Sequence, residues 1–457
     1  MLAKSIIKDL TRIVGKDNIL ADLKDLVAYS YDATMRQELP DVIVFPRSTE
    51  QISAIMKLAH REKIPVVPRG AGTGISGGTI PLKGGIIVET SLMNRILAIN
   101  TSDRKAVVEP GVVNLDLQNV LAPLGYFYPP DPASQKSSTI GGNIGENAGG
   151  PMCLRYGVTS KYVYGMEIVL ADGQVINIGD YVEDFPGYDL RGLFIGSEGI
   201  LGIATKLVLH IIPKPEASQS MMAIFDRLED TSQAVSDIIA AGIVPGAIEL
   251  LDQKMCQVIE QSVSAGSPTD AAGMLLIEVT GLADTMEKQV QEISEICRKN
   301  KVRELRIAHT NAERDALWKG RRGAFGSAAR ICPLLIVCDI TVPRNKLPEA
   351  LRKVGEISEK YGVLIVTLGH AGDGNLHPLI LFDVTNTDKQ QAAKKAEEDI
   401  VDASIAMGGT ISGEHGIGLD KIEAMRHIFD PVDIDAMRKV KDIFDPDDIL
   451  NPGKIFP

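Results

Sequence analysis

The sequence has few cysteines, no excess of basic residues and no long apolar run. Its five cysteines are odd in number and include no CxxC pair, which excludes a disulfide framework and a cysteine zinc knuckle and is typical of a reducing compartment. No stretch approaches the ~18 apolar residues of a membrane helix, and the first residues lack the apolar core of a signal peptide. The formal net charge of −12 contrasts with the basic surface of nucleic-acid-binding proteins. We therefore expect a cytoplasmic protein without a membrane span or a nucleic-acid partner.

The 457 residues are too many for one ordinary domain. Pro213 and Pro215 interrupt both helix and strand and mark the best candidate boundary. We expect a first domain at 1–215, opening with an N-terminal helix at 1–30, and a second domain at 216–457. Predicted strands alternate with helical stretches in the second domain, which indicates an α+β fold with a mainly antiparallel sheet. These strands lie at 222–225, 274–279, 334–341, 363–368 and 379–382.

After the N-terminal helix, the first domain continues with a β-α-β pattern. Residues 41–45 form a predicted strand, and Ser48 with Gln51 forms a capping box that begins a helix. The apolar spacing ends near Lys63, and 64–67 is the next predicted strand.

A glycine-rich loop follows that strand and contains G-x-G-x-x-G at 72–77. The Rossmann form of this motif needs a helix to open at its last glycine, and Pro81 with the glycines at 84 and 85 makes such a helix implausible. Consecutive glycines can still bind a diphosphate, because their backbone N–H groups form an anion nest. The alternative is a flexible surface turn.

Two further glycine clusters favour a large cofactor over that turn. Residues 129–151 are rich in Pro, Gly, Ser, Thr and Asn without apolar periodicity, and compact domains rarely carry so long a segment unless it is functional. Residues 196–202, GSEGILG, precede the last strand of the domain. Backbone that lacks large side chains can approach a large polar ligand closely at all three places.

The segments PRGAGTGISGG, PPDPASQKSSTIGGNIGENAGGP and IGSEGILGI resemble the flavin-binding motifs of the FAD-linked oxidase family. That family has the fold of vanillyl-alcohol oxidase and p-cresol methylhydroxylase. The similarity covers nearly the whole chain and is strongest to the branch that contains the flavoprotein subunit of glycolate oxidase, D-lactate dehydrogenase and D-2-hydroxyglutarate dehydrogenase. It implies an α+β protein, with a two-subdomain FAD-binding domain of the p-cresol methylhydroxylase type and an α+β cap domain whose C-terminal tail returns to the flavin.

The resemblance also implies which residues contact FAD. For the diphosphate these are Arg69, Gly70, Ala71, Gly72, Thr73, Gly74, Gly77 and Gly78; for the ribityl chain and isoalloxazine, Pro132, Ser134, Thr139, Gly142, Asn143, Asn147 and Ala148; for the adenosine half, Glu198 and Ile203; and near the ring, Asn451. Family members that link FAD covalently use a His or Cys, and neither occurs in 69–81. We therefore expect non-covalent FAD.

Histidines and a carboxylate cluster in two glycine-flanked segments of the second half. GHAGDGNLHP carries His370 and His377, and SGEHGIG carries Glu414 and His415. A predicted strand ends at His370 and another begins after His377, so both imidazoles can meet at a loop tip. Two imidazoles and one carboxylate would leave a metal with open positions, although the spacing matches no short metal-site pattern. The alternative is that these side chains cap turns or bind the cofactor.

In the hydroxyacid dehydrogenase branch these two motifs bind a divalent metal and abstract a proton. The resemblance therefore implies that His370, His377 and Glu414 are ligands and that His415 is the general base. Zinc, iron and manganese all suit two nitrogen donors and one oxygen donor.

Arg321 is the candidate anchor for a substrate carboxylate. An isolated helical arginine is usually a surface residue, but its position relative to Trp318 resembles the family's carboxylate-binding arginine, and a guanidinium binds a carboxylate bidentately. D-2-hydroxyglutarate members carry a lysine just before the position of Asp339, where this chain has Val337 and Cys338. The difference favours a small monocarboxylate.

We therefore expect oxidation of D-lactate or glycolate, with the α-hydrogen passing as hydride to flavin N5. The sequence shows no iron–sulfur ligand pattern, so the electrons should pass to a partner: an iron–sulfur subunit, an electron-transferring flavoprotein, a cytochrome or a quinone system. A homo- or hetero-oligomer is compatible with this. The alternatives are an FAD electron-transfer subunit without its own substrate chemistry, D-2-hydroxyglutarate dehydrogenase, a metal hydrolase that leaves the glycine loops unexplained, and alkyl transfer as in the ether-lipid synthase.

Overall fold

The computed structural model describes residues 2–34, 36–179 and 186–457, and the chain forms two compact units. Unit 1 comprises Met1–Gly149, Val158–Lys214 and Glu414–Pro457, and unit 2 comprises Gly150–Gly157 and Pro215–Gly413. The expected division at 1–215 and 216–457 therefore differs at two segments, because 150–157 belongs to unit 2 and 414–457 to unit 1.

The helices and strands are numbered in chain order. The α-helices are α1 Lys4–Val14, α2 Leu23–Ala28, α3 Thr49–Glu62, α4 Asn114–Leu121, α5 Ile140–Glu146, α6 Cys153–Tyr156, α7 Leu190–Phe194, α8 Leu228–Ala240, α9 Gln253–Val263, α10 Ala283–Lys299, α11 Asn311–Ile331, α12 Leu347–Tyr361, α13 Thr387–Ala406 and α14 Pro431–Phe444. Short 3-10 helices lie at Lys16–Asn18, Ala122–Leu124, Thr159–Tyr162, Arg344–Lys346 and Glu423–His427.

The strands of unit 1 are β1 Ile19–Leu20, β2 Val42–Val44, β3 Val66–Arg69, β4 Ile86–Glu89, β5 Ile96–Asn100, β6 Lys105–Val108, β7 Tyr126–Phe127, β8 Val163–Val169, β9 Val175–Gly179, β10 Ile203–His210 and β11 Ile212–Pro213. Those of unit 2 are β12 Ala217–Phe225, β13 Ala247–Asp252, β14 Gly273–Gly281, β15 Glu304–Ile307, β16 Ile336–Val337, β17 Ile340–Thr341, β18 Leu364–His370 and β19 Asn375–Leu381.

Unit 1 begins with a four-stranded sheet in the order β1-β2-β4-β3, in which β2 and β3 run parallel to β4. The side chain of Ser48 accepts the N–H of Gln51 and α3 begins at Thr49, which confirms Ser48 as the N-cap. The other half of the predicted capping box differs, because Oε1 of Gln51 accepts the N–H of Arg47 (2.7 Å) rather than that of Ser48. The apolar positions of α3 are buried in the core of this layer. The loop after β3 leads directly to β4 without a helix, as the Rossmann argument predicts.

Two sequence-based predictions for unit 1 are wrong in detail. The N-terminal helix at 1–30 is instead α1 and α2 with β1 between them, because Gly15 ends α1 at φ 88. Residues 129–151 are not all loop, since α5 lies among them. The glycines of α5 remove the apolar period that would have revealed it.

A second sheet of unit 1 is antiparallel, in the order β5-β6-β10-β8-β9. The C-terminal tail returns to the first sheet, where the N–H of Val66 donates to Ile449 (2.8 Å) and that of Asn451 donates to Val66 (2.9 Å). Ile449 and Leu450 are buried in the same core. The tail therefore packs as part of unit 1.

Unit 2 is built on one antiparallel sheet in the order β15-β12-β14-β13-β18-β19-β16, with β17 also paired to β19. Alternate residues of each strand face opposite sides. One side packs against α8, α10, α12 and α13, and the other against α9 and α11. The predicted strand at 334–341 divides into β16 and β17 at Cys338 and Asp339, where the carboxylate of Asp339 takes hydrogen bonds from the segment at 412–413.

Among the described residues, no helix combines the length and the apolar character that crossing a bilayer requires.

Candidate functional site

The three glycine clusters line one cleft in unit 1. This cleft encloses about 710 Å³, part of it open to solvent. Its lining from the three clusters includes Arg69, Gly70 and Gly78; Gly141, Gly142, Gly145 and Glu146; and Ser197, Glu198, Gly199, Gly202 and Ile203. Segments far apart in the sequence therefore present bare backbone to a common space, which suits a large ligand that backbone groups approach closely.

Other residues predicted to contact the flavin do not line the cleft but, apart from Asn451, lie in the segments that carry its lining residues. Thr139 caps α5 by accepting the N–H of Gly142, and Asn147 ends α5 at φ 52 while its Oδ1 accepts the N–H of Ser160 (2.9 Å). Asn143 is buried within α5. The remaining predicted residues outside the wall are Ala71, Gly72, Thr73, Gly74 and Gly77 in the first loop, Pro132 and Ser134 before α5, Ala148 after it, and Asn451 in the tail.

The residues around this cleft fit a polar cofactor. Nδ2 of Asn143, Oε2 of Glu146 and Oγ of Ser138 are buried and have no hydrogen-bond partner among the described residues. Buried polar atoms are nearly always paired in folded proteins. Of these groups Glu146 lines the cleft, and together with the glycine N–H groups of the wall it suits a ligand that carries both hydrogen-bond donors and acceptors.

Arg69 braces the first glycine loop from inside. Its Nη1 donates to the carbonyl of Tyr31 (2.9 Å) and to Oγ1 of Thr79 (3.2 Å). Burial lowers the pKa of Arg69, against the raising effect of nearby acidic groups such as Asp32. Gly72 has φ 66, and a Cβ there would lie 2.1 Å from Nη2 of Arg69. A side chain at that position would have to displace the Arg69 guanidinium and adopt a left-handed backbone, so glycine is favoured.

The C-terminal tail holds the first and third glycine clusters together. Nδ2 of Asn451 donates to the carbonyls of Gly78 (3.1 Å) and Glu198 (2.7 Å), and Nζ of Lys454 donates to Gly78 (2.6 Å) and to Oδ1 of Asn451 (2.9 Å). Burial lowers the pKa of Lys454 to about 7. Asn451 therefore supports two residues of the cleft wall.

The carboxylate of Glu198 fixes the segment that follows Glu414 and His415. It accepts the N–H groups of Ile417 (2.7 Å) and Gly418 (2.6 Å). Burial raises its pKa, which these two hydrogen bonds oppose. Nε2 of His415 lies 3.8 Å from Oε1 of Glu414, and the two side chains are 12% and 18% exposed. Both predicted functional side chains are thus largely enclosed.

In unit 2, His370 and His377 lie on neighbouring strands. His370 is the last residue of β18, and His377 lies inside β19, paired with Leu368. The expectation that His377 precedes its strand is therefore wrong, since β19 begins at Asn375. The two rings still meet, with centroids 5.2 Å apart and planes at 84°.

A carboxylate joins His370 to Arg321. Glu249 of β13 is directly opposite His370 in the sheet register, and its Oε1 lies 2.6 Å from Nδ1 of His370. Its Oε2 accepts Nε of Arg321 at 2.6 Å. Burial alone would raise the pKa of Glu249, but Arg321 and His370 outweigh it and hold that pKa below its usual value. Arg321 is 11% exposed, so it is not an ordinary surface arginine.

A second buried carboxylate, Asp339, lies beside His377. Nδ1 of His377 is 3.7 Å from Oδ1 of Asp339, which also accepts Nδ2 of Asn375 (2.8 Å). The other oxygen accepts Oγ of Ser412 (2.8 Å) and the N–H of Gly413 (2.9 Å). Gly413 is bonded directly to Glu414, so Asp339 anchors the start of the SGEHGIG segment.

Two family models together match most of the chain. The family model for the C-terminal domain of FAD linked oxidases matches residues 214–455, and a model for an FAD binding domain matches 40–179. The chain belongs to the FAD-linked oxidase family. The glycolate oxidase subunit GlcD of Bacillus subtilis is 43% identical over 100% of this chain and 97% of its own. The mitochondrial D-lactate dehydrogenase [cytochrome] of Arabidopsis thaliana is 30% identical over 99% and 80%.

The solved structures confirm the predicted fold of this FAD-linked oxidase. Substrate-bound p-cresol methylhydroxylase superposes with a TM-score of 0.84 at 19% identity, covering 99% of this chain and 96% of its own. The predicted α+β architecture, with an FAD-binding domain and a C-terminal domain built on an antiparallel sheet, is therefore correct.

Glu249 was not predicted as a member of the site, and Asp339 was named only to locate the position of the lysine in D-2-hydroxyglutarate members. A signal for Glu249 was present, because AIELL places one carboxylate among apolar residues, and a charge in a buried strand needs a partner. The partner could not be identified without the strand register.

Proposed function

We propose that the protein oxidises a small (D)-2-hydroxy acid, glycolate or D-lactate, to the 2-oxo acid with FAD as redox cofactor. The observation that carries the proposal is the buried cluster of Arg321, Glu249 and His370, which places a guanidinium beside an imidazole pair. The glycolate oxidase subunit and the D-lactate dehydrogenase among the relatives support this substrate class.

Each reacting group has a residue suited to it. Arg321 binds the substrate carboxylate, because a guanidinium offers several N–H donors in one plane. His415, in its neutral form, takes the hydroxyl proton. FAD supplies the acceptor for the α-hydrogen and its electron pair. The proton and the hydride together are the two hydrogens that convert a 2-hydroxy acid to a 2-oxo acid.

The cleft of unit 1 would hold FAD without a covalent bond. Gly70, Gly78 and Gly142 would let backbone N–H groups approach the cofactor. Asn143, with its unpartnered Nδ2, would donate to it. Asn451 would support the wall from the tail.

His370, His377 and Glu414 would hold a divalent metal such as zinc, iron or manganese. A histidine that binds a metal through one ring nitrogen usually has its other ring nitrogen hydrogen-bonded to a carboxylate or a carbonyl. Here Nδ1 of His370 is hydrogen-bonded to Glu249, and Nδ1 of His377 lies near Asp339. Such an ion would lower the pKa of a substrate hydroxyl.

The residues before Asp339 favour a monocarboxylate over D-2-hydroxyglutarate. Val337 is half-buried and Cys338 is buried, and neither can pair with a second carboxylate. We therefore keep D-2-hydroxyglutarate only as the alternative to glycolate and D-lactate.

The electron acceptor would be a separate partner, either an iron–sulfur subunit, an electron-transferring flavoprotein, a cytochrome or a quinone system. One relative is itself described as a subunit, which supports assembly into a hetero-oligomer. A cytoplasmic location stays a prediction from the cysteine content.

Anaerobic bleaching of the flavin tests the substrate. Glycolate, D-lactate and D-2-hydroxyglutarate are added separately to the FAD-loaded protein, and the flavin absorbance is followed in stopped flow. We expect glycolate or D-lactate to bleach it. If none of the three reduces the flavin, the proposed substrate class is wrong, and the alternatives of an electron-transfer subunit, a metal hydrolase and alkyl transfer remain.

The same assay tests the base. His415→Ala should keep bound FAD but slow flavin reduction by about 100-fold or more, within the usual range for general base removal. His309→Ala is the control, because that histidine is exposed and should leave the rate unchanged. A His415→Ala rate equal to that of the control would exclude this role.

A further inference from the structure

Glu249 is a charge in the middle of an apolar layer. It lies within β13, its side chain is 0% exposed, and the neighbouring Leu250 and Leu251 are core residues. An isolated carboxylate is expensive to bury, by several kcal/mol or more. Its presence therefore depends on what its two oxygens bind.

The two oxygens bind two different functional candidates. Oε2 accepts Nε of Arg321 and Oε1 lies against Nδ1 of His370, each at 2.6 Å. Arg321 comes from α11, which packs on this side of the sheet, whereas His370 is the cross-strand neighbour of Glu249. One carboxylate thus fixes a side chain from the helix layer and one from the sheet.

These contacts occupy one nitrogen of each of the two side chains. With Nε engaged, the Nη1 and Nη2 groups of Arg321 are the donors that can bind a substrate carboxylate. Glu249 also holds Nδ1 of His370, and a carboxylate at one ring nitrogen of a metal-binding histidine fixes both the tautomer and the ring orientation.

A second arginine–glutamate pair attaches the same helix without reaching a histidine. Arg314 precedes Arg321 by seven residues, two helical turns, and so lies on the same face of α11. Its Nη2 and Nε bind the two oxygens of Glu278 at 2.7 and 3.1 Å. Glu278 lies on β14, the strand paired with β13. This pair attaches α11 to the sheet, where Oε2 of Glu278 also accepts Oγ of Ser220 (3.0 Å).

We propose that Glu249 is a positioning residue that sets Arg321 for the substrate carboxylate and His370 for the metal at the same time. The proposal rests on the proposed function. It predicts that one substitution impairs substrate binding and metal binding together, although the carboxylate touches neither ligand.

The test compares Glu249→Gln and Glu249→Asp with Glu278→Gln in the FAD-loaded protein. Gln keeps the shape and removes the charge, whereas Asp keeps the charge and shortens the reach. The measurements are the metal retained per FAD against a graded chelator, KM and kcat for whichever of glycolate or D-lactate reduces the wild type, and the thermal unfolding midpoint.

For Glu249→Gln we expect metal affinity to fall about 10- to 100-fold, as for other groups behind metal-binding histidines, and KM to rise about 10-fold with a smaller change in kcat. Glu249→Asp should recover part of both. Glu278→Gln should lower the unfolding midpoint and leave metal retention and KM unchanged.

Two outcomes would overturn the proposal, and they are distinguishable. If Glu249→Gln and Glu249→Asp lose only stability, as Glu278→Gln does, then Glu249 merely docks α11. If the wild type retains no metal and no 2-hydroxy acid reduces its flavin, the proposed function fails and this inference fails with it.

Discussion

Replacing Asn451 tests whether the C-terminal tail supports the flavin cleft. Its side chain is 1% exposed, and Nδ2 donates to the carbonyls of Gly78 and Glu198. Asn451→Asp preserves the shape and the left-handed backbone, at φ 46, which Asp tolerates. It removes both donors and places a carboxylate oxygen against two carbonyl oxygens.

The magnitude follows from those two hydrogen bonds. A buried acceptor that loses its donor costs about 1–3 kcal/mol, so two such acceptors should lower the free energy of unfolding by about 2–4 kcal/mol after partial relaxation. Lys454 continues to donate to Gly78 (2.6 Å), which favours the lower end. Because Gly78 and Glu198 line the cleft, we also expect the FAD dissociation constant to rise about 10-fold or more, equivalent to ~1.4 kcal/mol.

Two measurements and one control complete the experiment. Urea unfolding of the flavin-free protein gives the stability, and quenching of FAD fluorescence on titration gives the affinity. The control is Asp448→Asn in the same tail, where the backbone is also left-handed, at φ 49, but the side chain is 52% exposed. We expect this control to change stability by less than about 0.5 kcal/mol. If Asn451→Asp matches the control in both measurements, the tail does not support the cleft.

Three further predictions concern single residues. Arg321→Lys should raise KM for the 2-hydroxy acid by about 10-fold or more in steady-state assays. The reason is that a lysine ammonium paired with Glu249 lacks the planar pair of N–H donors that a guanidinium offers to a substrate carboxylate. An unchanged KM would show that the substrate carboxylate binds elsewhere. Burial raises the pKa of Asp252 to about 6, so between about pH 4 and pH 6 the folded state holds a proton that the unfolded chain has released. The free energy of unfolding should therefore fall by up to about 3 kcal/mol as pH rises through that range, and urea titrations of Asp252→Asn should lack this fall. Gly418→Ala should lower both FAD affinity and the unfolding midpoint, because φ is 51 and a Cβ would lie 1.9 Å from the carbonyl of Ser76; wild-type values for both would contradict the structure of this loop.

Local sequence patterns predicted a helix start or a loop correctly where residues within a few positions of one another decide the structure. Ser48 and Gln51 start α3 because a cap involves only residues within one turn. Pro81 and the adjacent glycines exclude a helix after G-x-G-x-x-G for an equally local reason. By contrast, the single helix expected at 1–30 was wrong, since Gly15 ends α1 through a backbone conformation that the apolar spacing does not reveal.

Within the site, the sequence identified single residues from their local surroundings but not their contacts with residues of other segments. His370 and His377 were identified by their glycine-rich surroundings, but their placement on paired strands depends on the hairpin register. Glu249 is 121 residues from its partner His370, and nothing in β13 itself indicates which side chain will lie opposite.

The sequence by itself indicated a large polar cofactor in the N-terminal half, because three stretches of backbone without large side chains suit close approach to such a ligand. The resemblance of those stretches to the motifs of the FAD-linked oxidase family then identified the cofactor as FAD. Only the tertiary structure decided how those stretches share one wall, how Asn451 returns to support them, and how Glu249 joins Arg321 to His370. The physical reason is that a backbone conformation is a local property of a few residues, whereas the pairing of buried charges is fixed by strand register and helix packing across the whole fold.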